Sequence, residues 1–320
     1  MLLKTALAGL AASALLMGLA PAHADFPDKP IRIVVPVSPG GGTDITARML
    51  ATHLSARLNV PVIVENKLGA DGIIGADFVA KAPPDGYTLL IPTTGHFLLP
   101  FINKKMPYDT MKDLVGITAI SRAPMVIVAS PQLPFKTPKE FVELLRANPN
   151  KYGYATFESY GQLLIGMMNA KSNVQALRVP YKGSGQALPD VISGVVHYTM
   201  TSVAAAKTFV ESGKLKAVAL TGGKPVPELP GVVSLHDAGL LDVDVFQRFT
   251  LFAPARTPRE VLDKLQQAVN AVVHSPEVTK SLRLQAQEPI GNSVADFQAE
   301  VQKEYAMSEK SARDAGLVPQ

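Results

Sequence analysis

Chemistry in this chain has to come from oxygen and backbone nitrogen, because the sulfur and imidazole routes are thin. The 320 residues include no cysteine, which removes disulfides, thiolate metal sites, iron–sulfur clusters and cysteine nucleophiles together. The six histidines, His23, His53, His96, His197, His236 and His274, are scattered. None stands at ligand spacing with another histidine or a carboxylate on one helical face. There is no G-x-S-x-G elbow, no phosphate loop with Gly-Lys-Ser/Thr and no His-Glu-x-x-His pair. No metal, no cofactor and no catalytic residue is therefore predicted.

What the sequence offers instead is a set of short polar segments rich in Gly, Ser and Thr, each after an apolar run. In residues 38–44, Ser38, Gly41, Gly42 and Thr43 lead into a helix. Glycines let backbone approach a ligand, and a helix start aims unpaired N–H groups at it. A carboxylate suits such a site without any arginine. Asp44 would repel an anion, so its expected role is to cap the helix or orient the loop. In isolation this segment reads equally well as a plain turn between strand and helix. Four further segments share its character. They are 92–96 with Thr94, Gly95 and His96, 155–162 with Thr156, Phe157, Ser159, Tyr160 and Gly161, 180–185 with Lys182, Gly183 and Ser184, and 199–202 with Thr201 and Ser202. In open α/β sheets ligands sit beyond the carboxyl ends of strands, where such loops gather.

The elements that must hold these loops follow from the hydrophobic period. Residues 31–37 are a β-rich run, 45–58 carry apolar residues at helical spacing, and 60–64 and 87–91 are further strands with a helix at 73–81 between them. This alternation predicts a mostly parallel sheet. Residues 117–129 are β-branched and apolar, with an interruption at 121–124. Thr137-Pro138-Lys139-Glu140 has the form of a capping box with proline at the first helical position. Thr257-Pro258-Arg259-Glu260 repeats it before an apolar stripe of Val261, Leu262, Leu265, Val269, Val272 and Val273. Strands at 176–180, 195–200 and 217–220 fill the middle. After Thr257 the pattern is helical almost to the end, with Ser293 capping the last long helix. The β-rich runs at 125–129 and 249–253 bracket the central block. Taken as crossovers, they predict an α/β fold of two lobes with a central cleft. Lobe 1 is discontinuous, at 25–122 and 250–320, and lobe 2 spans 123–249.

A hydrophobic content of 47% excludes a disordered chain. Lys+Arg 31 against Asp+Glu 27, net +4, is a small excess without a dense cluster, so no nucleic-acid partner is expected. Lys4, an Ala/Leu-rich run over 5–20 and Ala22-His23-Ala24 predict a cleaved export signal over 1–24 and a mature chain outside the cytoplasmic membrane, with a single membrane anchor as the alternative. No later stretch is apolar enough to span a membrane, so no pore is expected.

Several segments, in order along the whole mature chain, resemble the Bug (tripartite tricarboxylate transporter) extracytoplasmic solute receptors. They include Phe26-Pro27-Asp28-Lys29-Pro30, Val35-Pro36-Val37-Ser38-Pro39-Gly40-Gly41, Pro83-Pro84-Asp85-Gly86-Tyr87, Val179-Pro180-Tyr181-Lys182-Gly183-Ser184-Gly185 and Phe252-Ala253-Pro254-Ala255-Arg256. The resemblance implies a periplasmic binding protein of type II topology, usually a monomer. Its two lobes close on a small organic acid, a dicarboxylate, tricarboxylate or aromatic acid, held by N–H groups, hydroxyls and bridging waters. The implied partners are the large and small membrane subunits of a tripartite tricarboxylate permease, with a sensor kinase as the alternative; a periplasmic hydrolase is the rival from another class. The chain departs from the family where Phe157, Glu158 and Tyr160 replace small residues. His197, Thr199 and Thr201 stand where an acid is common, and phenylalanine rather than tryptophan lies near 246–249 beside Arg248. Glu158 is expected to point to solvent, or to receive an ammonium group if the ligand is an amino acid. Phe157 and Tyr160 shape an apolar wall or pack on the surface. The cleft is expected to hold no inward-facing acid.

Overall fold

The structure is a computed structural model that describes residues 26–223 and 225–314. The export signal expected over 1–24 lies outside them. Strand β1 (Ile31–Val35) is buried at four of five positions because it is flanked by two parallel neighbours, β2 (Val62–Asn66) and β3 (Thr88–Leu90). Between them run helix α1 (Gly42–Leu58), a 3-10 turn (Ala70–Gly72) and α2 (Ile73–Ala80). Helix α3 is one turn, Leu99–Ile102.

The next element decides the architecture. Strand β4 (Leu114–Ala129) is one continuous strand of 16 residues. From Leu114 to Pro124 it pairs with β9 (Phe246–Pro254), and from Met125 to Ala129 with β7 (Tyr198–Ser202) and β8 (Lys216–Leu220). The interruption expected at 121–124 does not exist. Pro124 falls where the ladder passes from one set of partners to the other, the place where a missing N–H matters least. The sheet runs β2-β1-β3-β9-β4-β7-β5-β6, with β5 (Gly153–Thr156) and β6 (Leu177–Pro180) parallel to each other. Strands β4 and β9 thus join two α/β halves.

Helices α4 (Pro138–Ala147), α5 (Ser159–Lys171), α6 (Ser184–Ser193) and α7 (Val203–Glu211) clothe the second half. The Thr137 hydroxyl accepts the Glu140 N–H at 3.2 Å, and the Glu140 carboxylate accepts the N–H of Lys136 at 2.7 Å. The matching expectation at Thr257 is corrected. Its hydroxyl donates to the Pro254 carbonyl at 2.7 Å, closing the turn out of β9. Helix α8 (Arg259–Val273) then begins after Pro258 without a side-chain cap. Helix α9 (Pro276–Arg283), a short strand β10 (Glu288–Pro289) against β4, and α10 (Val294–Asp314) complete the chain, so the run predicted as helical is broken at β10. Ser293 does cap α10, accepting the Asp296 N–H at 3.1 Å.

Each half has its own core. Ile31, Ile33 and Val35 pack with Leu50, Leu54, Leu265 and Val269 in one; Phe141, Leu164, Met168 and Tyr198 pack together in the other. Among the described residues no helix is long and apolar enough to cross a membrane.

Candidate functional site

The loop from β1 into α1 is held from behind. Gly40 takes a φ of 84°, open to glycine at no steric cost, and its N–H donates to Asp44 Oδ2 at 3.0 Å. The same oxygen accepts Arg48 Nε at 3.0 Å, and Oδ1 accepts Asn66 Nδ2 at 2.9 Å. Burial pushes the Asp44 carboxyl up, but the bonds from Arg48, Gly40 and Asn66 outweigh it and hold the group below its usual range. Asp44 therefore orients the loop and is itself buried. Asp44→Ala would strip the Gly40 N–H, the Asn66 amide and the Arg48 guanidinium of their acceptor. A loss of about 1–3 kcal/mol in urea unfolding is expected, with weaker ligand affinity; an unchanged midpoint would show that the loop holds itself.

Between the halves lies a narrow, largely filled pocket. The first half contributes Val37, Gly41, Gly42 and Thr43, and the start of α5 contributes Ala155, Thr156, Phe157, Glu158, Gly161 and Ile165. Ser184 at the head of α6, and Met200, Thr201 and Ser202 leading into α7, form a third side. Met125 and Gln247, from the two joining strands, complete the lining. Neither was expected, although both sit beside the predicted crossovers. No lysine, arginine or histidine lines the pocket. Thr201 and Gln247, 3% and 4% exposed, bury Oγ1 and Oε1 without a hydrogen-bond partner.

The halves touch closely around this pocket. The N–H of Ser38 donates to the Lys182 carbonyl at 3.1 Å. A Cβ on Gly42 would lie 2.4 Å from Ser202 Oγ, and one on Gly95 would lie 3.3 Å from the backbone nitrogen of Tyr160.

Other expected ligand residues stand outside the lining. Lys182 is exposed, and Gly183 packs against Ser38. The Ser38 and Thr94 hydroxyls are buried without partners. Ser159 Oγ donates to Asp71 across the halves, and Tyr160 packs on the second core. His96 is inside the first half, its ring 6.1 Å from that of Tyr108 and beside Phe97 and Phe252. Burial pushes its pKa down to about 4.

Glu158 corrects the expectation directly. It lines the pocket rather than facing solvent. Its pKa is pushed up to about 7 by burial and then by the charge of Asp71, against a hydrogen bond from the Thr94 backbone. Asp71 is raised too, chiefly by burial. The start of α5 is drawn under the first half by the Ser159–Asp71 bond, which takes its neighbour Glu158 inward. Arg248 is spent elsewhere, bonding Glu304 of α10 at 3.2 Å and also Glu300.

Two α/β halves joined by β4 and β9, with a pocket between them, define the periplasmic solute-binding class. Solved structures agree. An R. palustris protein with adipate is 33% identical with a TM-score of 0.88, over 92% of this chain and 100% of that one. MatC from Rhodopseudomonas palustris, with bound malate, is 29% identical with a TM-score of 0.83, over 89% and 99%. Protein BugT of Bordetella pertussis is 31% identical over 280 residues, 85% of each chain. Residues 46–317 match the tripartite tricarboxylate transporter family receptor, and the chain belongs to that family. Its members are extracytoplasmic receptors that bind solutes rather than transform them.

Proposed function

We propose that this protein captures a small carboxylate between its halves and delivers it to the membrane subunits of a tripartite tricarboxylate-type permease. One observation carries the reading: the starts of α1, α5, α6 and α7 converge on a single pocket that holds Thr43, Thr156, Ser184, Thr201 and Ser202. Amide and hydroxyl donors fixed in that way replace the hydration of a carboxylate, each charge-assisted bond contributing about 1.5–3 kcal/mol. The similarity to proteins solved with adipate and malate supports the substrate class. The lobes are 25–122 with 250–320, and 123–249. They close as a hinge at β4 and β9, ligand shifting a pre-existing equilibrium. Export by the signal at 1–24 places the protein in the periplasm.

A thermal-shift panel of C3–C10 dicarboxylates, tricarboxylates, aromatic acids and amino acids tests this. A true ligand at a hundred times its Kd stabilises by about 2.7 kcal/mol. Silence across all the acids, or turnover of an ester or amide, would sink the proposal.

A further inference from the structure

We propose that Glu158 and Gln247 select a ligand with a carboxylate at one end and a protonated amine at the other, so that the preferred solute is a zwitterionic amino acid rather than a diacid. The inference rests on the carboxylate-receptor reading and narrows it.

The lining is unequal in charge. Its donors are the amides at the start of α1 and the hydroxyls of Thr43, Ser184 and Ser202. Thr156, Thr201 and the Gln247 amide nitrogen add further donors, while the Glu158 carboxylate and Gln247 Oε1 are its side-chain acceptors, the latter buried without a partner. Glu158 is the one charged side chain in the lining. The charged groups that act on this corner are Asp71 beside Glu158, Arg178 beyond Asp71, and Glu304 beyond Tyr160. Arg178 itself donates to Gln162. A diacid would bring two carboxylates, three with Glu158, into a pocket that has no lining cation to offset the extra one. Such a group must give up its charge or find a counter-charge. An ammonium group supplies that counter-charge, and Gln247 Oε1 and the Thr201 hydroxyl, both unpartnered in the same lining, are acceptors available to its remaining N–H bonds. The raised pKa of Glu158 fits a carboxyl awaiting a cation, since burial and Asp71 both oppose its ionisation when it is alone.

The test is titration calorimetry on matched pairs that differ at one end only: β-alanine against malonate, 5-aminopentanoate against glutarate, and 6-aminohexanoate against adipate, with butyrate as the monoacid control. In wild type, the amino acid of best-fitting length is expected to bind about tenfold tighter than its partner, the worth of one charge-assisted bond. Glu158→Gln should erase that preference without lowering the melting temperature. Wild-type affinity for the amino acid should also rise from pH 5.5 to pH 8, as Glu158 ionises. Tighter binding of the diacid at every length, unaltered in Glu158→Gln, would overturn the inference while leaving the carboxylate reading in place. If no amino acid, diacid or monoacid binds, both fall.

Discussion

Gly185→Ala should leave the protein folded and cost it about a hundredfold in ligand affinity. Gly185 is the second residue of α6, and a Cβ there would lie 2.0 Å from the Pro39 carbonyl oxygen and 3.2 Å from its carbon. Both atoms are backbone, so no rotamer change relieves the overlap. The two halves must stay apart. Alanine at a helical position is otherwise welcome, by about 0.5–1 kcal/mol over glycine, so each half keeps its own core. Overpacking costs about 1–3 kcal/mol, and under the proposed closure, in which only the closed form grips ligand, that cost passes into the apparent Kd, where about 2.7 kcal/mol is a hundredfold. Calorimetry with a ligand from the thermal panel, beside a melting curve, reads both halves of the expectation. Equal affinity in the variant would mean that binding does not need the approach of Pro39 to α6.

The second large effect is on stability at low pH. The unfolded chain protonates its histidines near pH 6.5, whereas His96 resists until about pH 4 because its ring is buried among Phe97, Tyr108 and Phe252. Between those values the unfolded state binds a proton that the folded state refuses. Stability is therefore intact above pH 6.5 and drains away as pH falls toward 4, by about 3 kcal/mol for a shift of this size. Glu158 works in the opposite sense, since its raised pKa means that the folded protein takes up a proton first as pH falls from about 7. His96→Leu isolates the histidine. Denaturant curves from pH 8 to pH 4 should show a variant that gains on wild type by about 3 kcal/mol over that interval, whatever its packing offset at pH 8. Parallel curves would place the ring in a wetter setting than its neighbours indicate.

The contrast between His96 and Glu158 shows how far residue type reaches. Both were read from loops of the right composition, one as a ligand contact and one as a solvent-facing side chain. The structure places His96 in the aromatic packing of the first half and Glu158 in the lining. Ser159 and Thr94 have the hydroxyls that a carboxylate would want, yet one is committed to Asp71 and the other is buried outside the pocket. Helix starts show the same limit. The tetrapeptides at Thr137 and Thr257 are alike in sequence, but only the first caps, because the second must close the turn that leaves β9.

Period and local chemistry determined what the sequence alone could determine: the strand and helix alternation of the first half, the glycine loop into α1 with Asp44 behind it, the cap at Ser293, the order of segments that marks the receptor family, and the absence of any cysteine. These depend on neighbours in the chain, so neighbours in the chain reveal them. Only tertiary structure decided that β4 runs unbroken through both halves, that Met125 and Gln247 reach the pocket from the joining strands, and that an acid sits inside it. Those facts depend on which segments meet across the gap, at Gly42 against Ser202, Gly95 against Tyr160 and Gly185 against Pro39. Such meetings lie between residues far apart in the chain, and no local pattern encodes them.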